Sequence, residues 1–201
     1  MSSDPPALIE ALRRADARAF ATLYAREKGA LYGFLLRLSR DPHVAADLFQ
    51  NVWLKLARHA ARLRPDSNLR AWLFTVARRE YLSFRRAQAL DLSRVLAFGT
   101  EPPAEDDSVE RGAERLALAA ALGQLADGDR EVLLLAGAEG LDTEAAAGVL
   151  GISEVAFRQR LARARRRLAE RLREPPRSVE AAALEAEAAV AARAIARKGV
   201  R

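Results

Sequence analysis

The residues best suited to binding chemistry lie in one arginine-rich segment, Glu154 to Arg171. Apolar residues recur there at steps of three and four, which predicts a helix with one apolar stripe. The stripe consists of Phe157, Leu161, Ala164 and Leu168, and it continues to Leu172 directly after the segment. The other faces carry guanidinium groups, whose planar fork can donate two parallel hydrogen bonds to a phosphate or to guanine. One side of this helix is therefore suited to packing and the other to binding an anion.

The sequence around the start of this segment predicts a helix-turn-helix. Thr143 and Ser153 are suitable N-caps for a short and a longer helix, and Gly151 suits the turn between them. The major groove of DNA admits one such helix, and residues in its N-terminal half reach base edges. We predict base-edge contacts from Arg158, Gln159 and Arg163. We predict phosphate contacts, which fix position without reading sequence, from Arg160, Arg165, Arg166 and Arg167.

Composition excludes several other kinds of chemistry. The chain has no cysteine and only two histidines, His43 and His59, so we expect no disulfide, thiol nucleophile, metal site or cofactor. No catalytic triad, carboxylate pair or phosphate-binding glycine loop is apparent, so we expect no enzyme activity. The net charge of +6 favours a polyanionic partner, although a GC-rich genome would also enrich arginine. With no secretory signal and no membrane-spanning segment, we expect a cytoplasmic protein without a membrane partner.

The pattern predicts an all-α fold with two small helical domains joined by an acidic flexible linker, the second domain containing the helix-turn-helix. We place the first domain at residues 1–89, the linker at 90–110, the second domain at 111–174 and a helical extension at 175–201. The predicted helices of the first domain are Ala7 to Arg26, Ala30 to Arg40, His43 to Arg62 and Leu69 to Gln88. Asp41 and Asn68 are suitable caps for the last two. In the second domain, Asp127-Gly128-Asp129 and Gly140 mark helix boundaries.

These segments resemble a known family. Leu125 to Leu172 is similar to the promoter-binding C-terminal domain of ECF (extracytoplasmic function) sigma factors of bacterial RNA polymerase. The specific parts are Arg130-Glu131-Val132-Leu133, Gly140-Leu141 and Leu150-Gly151-Ile152-Ser153. In the first block, ADLFQNVWLKLARH resembles the family's polymerase-binding helix, and LRAWLFTVARREYLSFRRA its promoter-melting helix. The resemblance covers about residues 20–172, with both domains in the family's order.

The resemblance implies roles for residues of the first domain. It assigns polymerase binding to Asp47 and Gln50, with Asn51 beside them in place of the usual acidic residue. It assigns capture of a flipped base of the downstream element to the loop from Arg62 to Asn68 and the start of the next helix. The phosphates of the melted strand would be bound by Arg78, Arg79, Arg85 and Arg86. Stacking candidates are Tyr81 and Phe84, although core packing is the favoured interpretation of Phe84. We expect Trp53, Trp72 and Phe74 to fill the core.

The implied partners are core RNA polymerase and promoter DNA, as duplex at the upstream element and melted at the downstream one. An anti-sigma protein is a further partner known for many family members. Arg79, Ser83 and Gln159 depart from residues common in the family, so no family promoter is transferred to this chain. One alternative is a helix-turn-helix regulator that acts without being a polymerase subunit. Another is an adaptor that binds its partner through amphipathic helices, although an adaptor needs no arginine-rich face.

Overall fold

Helices with apolar stripes form the N-terminal part of the chain. The structure, a computed structural model, describes residues 5–92, 117–137 and 141–173. The N-terminal elements are α1 (Pro6–Arg13), α2 (Ala17–Ser39), α3 (Pro42–His59), a 3-10 turn (Ala60–Arg62) and α4 (Leu69–Leu92). Within the described residues there is helix but no strand, which confirms the predicted all-α class.

The predicted caps at Asp41 and Asn68 are confirmed. The carboxylate of Asp41 accepts hydrogen bonds from the amides of His43 at 2.8 Å and Val44 at 3.1 Å. The side-chain oxygen of Asn68 accepts one from the amide of Ala71 at 2.9 Å. Each bond satisfies an amide that the first turn of a helix leaves without a partner. These caps fix where α3 and α4 begin.

The predicted break between Arg26 and Ala30 is wrong, since α2 continues through Gly29. A single glycine within a helix costs only about 1 kcal/mol relative to alanine. Burial of large apolar side chains on both sides of it, such as Leu23 and Leu31, more than offsets that cost. The real break precedes Asp16, whose carboxylate caps α2 by accepting from the amides at positions 18 and 19, at 2.7 and 3.0 Å.

Two other predicted helix ends differ from the structure. The third helix ends at His59 and is followed by the 3-10 turn, instead of continuing to Arg62. The fourth extends beyond Gln88 to Leu92, into the region predicted to be linker. Helix propensity alone places such ends poorly, because terminal turns depend on local capping and packing.

The core of the first domain lies where α2, α3 and α4 meet. Phe34 and Phe74 are fully buried there, with ring centroids 5.0 Å apart in an edge-to-face arrangement. Trp53 is also buried, and Trp72 packs partly buried against the same core. The prediction that Trp53, Trp72 and Phe74 are core residues is therefore confirmed. These contacts set the directions in which α3 and α4 present their outer faces.

The second domain contains α5 (Asp127–Gly137), α6 (Thr143–Leu150) and α7 (Glu154–Arg173), preceded by helical residues 117–123. The helix boundary predicted at Asp127 is confirmed. Thr143 was predicted to cap α6, but the cap is Asp142, whose carboxylate accepts from the amide of Ala145 at 2.7 Å. Thr143 is instead the first residue of the helix. The neighbouring carboxylate is the stronger acceptor for the free amides.

The two domains are in contact in this structure. Helix α4 packs against α6, and α2 packs against α5. Three predictions lie outside the described residues: the helix end at Gly140, the flexible linker beyond residue 92, and the helical extension at 175–201.

Candidate functional site

The outer face of α7 is the first part of the candidate site. Val155, Gln159, Ala162 and Arg166 follow one another at helical spacing, and all four are exposed. They lie opposite the buried face, in which Phe157 and Ala164 are buried while Leu161 and Leu168 are partly buried. The predicted stripe therefore holds except at its last member, Leu172, which is 48% exposed.

The predicted arginines are all accessible on this helix. Arg158 and Arg163 flank the central line of the outer face and are exposed, as are Arg160, Arg165, Arg166 and Arg167. The guanidinium of Arg158 lies 3.3 Å from the carboxylate of Glu154, one turn earlier. An exposed pair of this kind contributes little to stability, so Arg158 can exchange it for another acceptor at small cost. The face can therefore present several guanidinium groups to one polyanion.

The turn before α7 fixes the direction of this face. Gly151 has φ 68°, a left-handed conformation that suits glycine. The amide of Ile152 donates to the carbonyl of Ala147 at 3.1 Å, closing the end of α6. The hydroxyl of Ser153 then accepts from the amide of Ala156 at 3.2 Å, which confirms Ser153 as the cap of α7. The predicted helix-turn-helix is therefore present.

Arg130 is a buried residue whose position the sequence prediction did not identify. Its guanidinium donates to the carbonyls of Leu122, Gly123 and Leu125 at 2.9 to 3.0 Å. It also pairs with Asp127 at 3.2 Å. Leu122 and Gly123 are the last residues of the helical segment 117–123, and the last carbonyls of a helix have no partner within it. Arg130 supplies the missing donors for these two carbonyls. The available signal was the charged pair Arg130-Glu131 directly before an apolar run.

The outer face of α3 is a second part of the candidate site. Asp47, Gln50 and Asn51 are exposed on it, while Leu48 and Val52 of the same helix are buried. The structure therefore places all three predicted polar residues together. Leu54 follows Asp47 and Asn51 along this face and is 45% exposed. The sequence prediction assigned no role to Leu54, because residue type alone does not show that a leucine is exposed.

Aromatic side chains pack between α2 and α3, on the side of α3 opposite this exposed face. The ring of Trp53 lies with its centroid 5.6 Å from that of Phe20 and 4.9 Å from that of Tyr24. Phe49 contacts Trp53 and Tyr24 as well, with centroids 5.9 and 6.0 Å away. Aromatic pairs in such geometry contribute about 0.5–1.5 kcal/mol beyond the area they bury. They make the face of α3 a rigid surface.

The basic residues of α4 form a third part, and the structure divides them into two pairs. Arg79 and Arg86 are exposed. Arg78 lies 3.1 Å from the carboxylate of Glu131, and Arg85 lies 3.1 Å from that of Asp127, both in the second domain. A third polar contact joins the domains, since Arg40 donates to the carbonyl of Gly123 at 3.2 Å. Of the four arginines predicted to bind the melted DNA strand, Arg78 and Arg85 are thus paired with acidic residues of the second domain.

The remaining predicted downstream residues have other contacts. The oxygen of Asn68 caps α4, and in the loop before it Arg64 pairs with Asp66 at 3.0 Å. Tyr81 is only 1% exposed, so the prediction that it stacks on bases is wrong for this arrangement. Its spacing from Phe74 and Ala77 places it on the buried side of α4. Phe84 is partly buried and packs against the core, which agrees with the favoured interpretation that it is a core residue.

Glu131 is a buried acid whose titration should affect stability. Burial raises its pKa above the ordinary value of 4.5, and Arg78 and Arg160 offset part of this rise. The folded protein therefore binds this proton more tightly than the unfolded chain does. The stability contributed by Glu131 is complete at acid pH and is lost as the pH rises through the raised pKa.

We predict that the free energy of unfolding of the wild type falls relative to that of Glu131→Gln as the pH rises above 4.5. The slope should stay below about 1.4 kcal/mol per pH unit, the limit for a difference of one bound proton between the folded and unfolded states. Urea unfolding of both proteins over a pH series measures the difference. In an Arg78→Gln background the same change should move to higher pH, because the offsetting charge is gone. A difference that is constant with pH would contradict this account of Glu131.

Two kinds of feature are absent from the described part of the chain. No three potential metal ligands cluster anywhere in residues 5–92, 117–137 and 141–173. Over the same ranges, none of the helices combines the length and the hydropathy that crossing a membrane requires.

Comparison with known proteins identifies similar chains. Two family models match in order, Sigma-70 region 2 over residues 23–90 and Sigma-70 region 4 over residues 115–168. The ECF RNA polymerase sigma factor SigK of Mycolicibacterium vanbaalenii is 31% identical, over 70% of this chain and 75% of its own. The RNA polymerase sigma factor CarQ of Myxococcus xanthus is 33% identical, over 83% of this chain and 96% of CarQ.

A solved structure is also similar. It is the co-crystal structure of the sigma factor RpoE with the anti-sigma factor NepR from Bartonella quintana. The match has a TM-score of 0.67 at 30% identity and covers 79% of this chain and 99% of that chain.

Proposed function

The chain belongs to the ECF family of RNA polymerase sigma factors. We propose that the outer faces of α7 and α3 and the basic residues of α4 each bind a different partner during transcription initiation. The protein binds core RNA polymerase and directs transcription from specific promoters. The observation that carries this conclusion is the match of both family regions in order, at residues 23–90 and 115–168. A regulator that acts without being a polymerase subunit would not need the first of these regions.

The outer face of α7 is the proposed reader of the upstream promoter element. Arg158, Gln159 and Arg163 lie at its N-terminal half, which enters the major groove in helix-turn-helix proteins. Arginine can donate two hydrogen bonds to guanine, and glutamine can pair with adenine through one donor and one acceptor. Phosphate contacts would come from Arg160, Arg165, Arg166 and Arg167. Their exposure and distribution around the helix support this assignment.

The outer face of α3 is the proposed polymerase contact. Asp47, Gln50 and Asn51 offer polar groups at one edge, and Leu54 adds an exposed apolar side chain beside them. Interfaces commonly combine an apolar centre with a polar rim. The rigid aromatic packing behind α3 supports this role, since a preformed surface loses little conformational entropy on binding.

The downstream element would bind along α4 and the loop before it, through Asn68, Arg78, Arg79, Arg85 and Arg86. In the described arrangement, Arg78 and Arg85 are already paired with Glu131 and Asp127. DNA phosphates and these carboxylates would compete for the same guanidinium groups. We therefore propose that melted DNA binds a form in which the two domains have separated, while Arg79 and Arg86 make the first contacts.

The comparisons also support a partner and a place of action. The similar RpoE chain was solved with the anti-sigma factor NepR, and we propose that a protein of that class inhibits this chain. The family consists of initiation factors that are not enzymes, so the polymerase would carry out RNA synthesis. The chain would accordingly act in the cytoplasm, where the polymerase transcribes DNA.

The experiment that tests this function combines the purified full chain with core RNA polymerase and a library of promoter fragments. Sequencing the transcripts should reveal initiation at one class of promoter that core polymerase alone does not use. Tight binding of the chain alone to duplex DNA, without specific initiation, would instead favour the regulator.

We predict that Asp47→Ala weakens binding to core polymerase by about tenfold, the equivalent of one charge-assisted hydrogen bond. Titration of labelled protein with core polymerase measures the change. Asp66→Ala is the matched control, because Asp66 is an exposed acid in the loop before α4 and should leave the affinity unchanged. Full affinity of Asp47→Ala would remove Asp47 from the docking surface.

A further inference from the structure

Val155 is an exposed apolar residue on the face that we assign to DNA. It is 57% exposed, the highest value among the large hydrophobic residues exposed in the described structure. It belongs to the first turn of α7, next to Glu154 at the helix start. Exposed valines are common on protein surfaces, so exposure alone assigns no role. The role that we assign to Val155 follows from its position relative to the neighbouring residues of α7.

The helical spacing places Val155 at the leading end of the base-reading surface. Gln159 lies four residues later and Ala162 seven residues later, so the three form one exposed line. That line is directly opposite Phe157 and Ala164, which are buried. A helix that enters the major groove with its N-terminal half brings the first turn of such a line closest to the base edges.

The chemistry of the major groove offers one partner for an apolar side chain at that point. Thymine carries a C5 methyl group there, whereas the other base edges present hydrogen-bond donors and acceptors. A valine side chain can bury that methyl group, but it can satisfy no donor or acceptor. Flanking guanidinium groups at Arg158 and Arg163 attract the DNA and hold the helix in position. Charge complementarity around Val155 therefore selects DNA as its partner.

We propose that Val155 reads a thymine of the upstream promoter element by packing against its C5 methyl group. The inference rests on the proposed function, because it requires α7 to enter the groove. It adds a specificity residue that recognises a base by apolar contact, next to Arg158 and Gln159, which recognise bases by hydrogen bonds.

The test replaces each thymine of the upstream element in turn by deoxyuridine, which removes the methyl group and keeps every hydrogen-bonding atom. The polymerase complex containing the full chain is bound to these duplexes. At one position, the wild type should lose about fourfold to tenfold in affinity, as expected for one buried methyl group. Val155→Ala should bind the thymine and deoxyuridine duplexes of that position equally well.

Two control variants make the result specific. Leu172→Ala truncates another exposed apolar side chain near the far end of α7 and should retain the full sensitivity to deoxyuridine. Val155→Ala should keep its response to guanine substitutions, and its thermal unfolding should be unchanged because the side chain is exposed and alanine favours helix.

Three results would overturn the inference while leaving the function intact. They are an upstream element without thymine, wild-type binding that ignores deoxyuridine at every position, and a deoxyuridine penalty that persists in Val155→Ala. Failure of the proposed function is distinguishable from these. In that case the polymerase complex would show no preference for any upstream sequence, and guanine substitutions would have no effect either.

Discussion

Replacing Arg158 by alanine should lower transcription from the cognate promoter by about 10- to 100-fold, the effect of losing one bidentate contact to a base. Arg158 is exposed near the N-terminal end of α7, where its guanidinium lies 3.3 Å from the carboxylate of the exposed Glu154. Its truncation should therefore leave folding and polymerase binding unchanged. Single-round transcription with a limiting concentration of polymerase complex measures the loss. The variant should also lose its sequence preference at one base pair of the upstream element.

Two matched variants distinguish a sequence-specific base contact from non-specific electrostatic binding to DNA. Arg158→Lys keeps the charge but loses the planar fork, so it should recover non-specific binding without restoring the preference. Arg165→Ala removes a predicted phosphate contact on the same helix. It should weaken binding evenly across sequences and reduce the dependence of affinity on salt. An Arg158→Ala variant with intact sequence preference would show that the base contacts come from elsewhere on α7.

Local signals in the sequence predicted much of the fold correctly. Asp41, Asn68 and Ser153 were identified as caps because their short polar side chains precede apolar runs, and each makes the expected bond. The helix-turn-helix was predictable for the same reason, since Gly151 supplies a conformation that few residues adopt. Signals of this kind act within one helical turn and need no knowledge of the rest of the fold.

The errors arose where distant contacts outweigh local preference. A break was predicted between Arg26 and Ala30, but α2 runs through this segment and is held by packing against α3 and α4. Tyr81 was interpreted as a stacking surface, although its register with Phe74 buries it. The pairing of Arg78 with Glu131 joins residues 53 positions apart. No pattern in either helix alone specifies that partner.

The same distinction applies to the functional surfaces. Asp47, Gln50 and Asn51 were selected by the family resemblance, and the structure places all three exposed on α3. Leu54 and Val155 were not predicted as surface contacts, because residue type alone suggests burial. Only the three-dimensional packing shows which apolar residues remain exposed and therefore available to a partner.

The largest effect on stability should come from Arg130→Met, which keeps the length of the side chain and removes its donors. The guanidinium is 5% exposed and bonds three backbone carbonyls and the carboxylate of Asp127. Methionine would leave the three backbone carbonyls without this donor, whereas Asp127 keeps its pairing with Arg85. We expect a loss of about 3–5 kcal/mol in the free energy of unfolding of the second domain.

Chemical denaturation followed by circular dichroism measures this loss, with Arg165→Met as the matched control. Arg165 is exposed on α7, so its replacement should change stability by no more than about 0.5 kcal/mol. Arg130 orients α5, against which α7 packs, so Arg130→Met should also abolish recognition of the upstream element. Binding to core polymerase through α3 should remain, because the core of the first domain does not include Arg130. Equal stability of the two variants would mean that the carbonyls find water in place of the guanidinium.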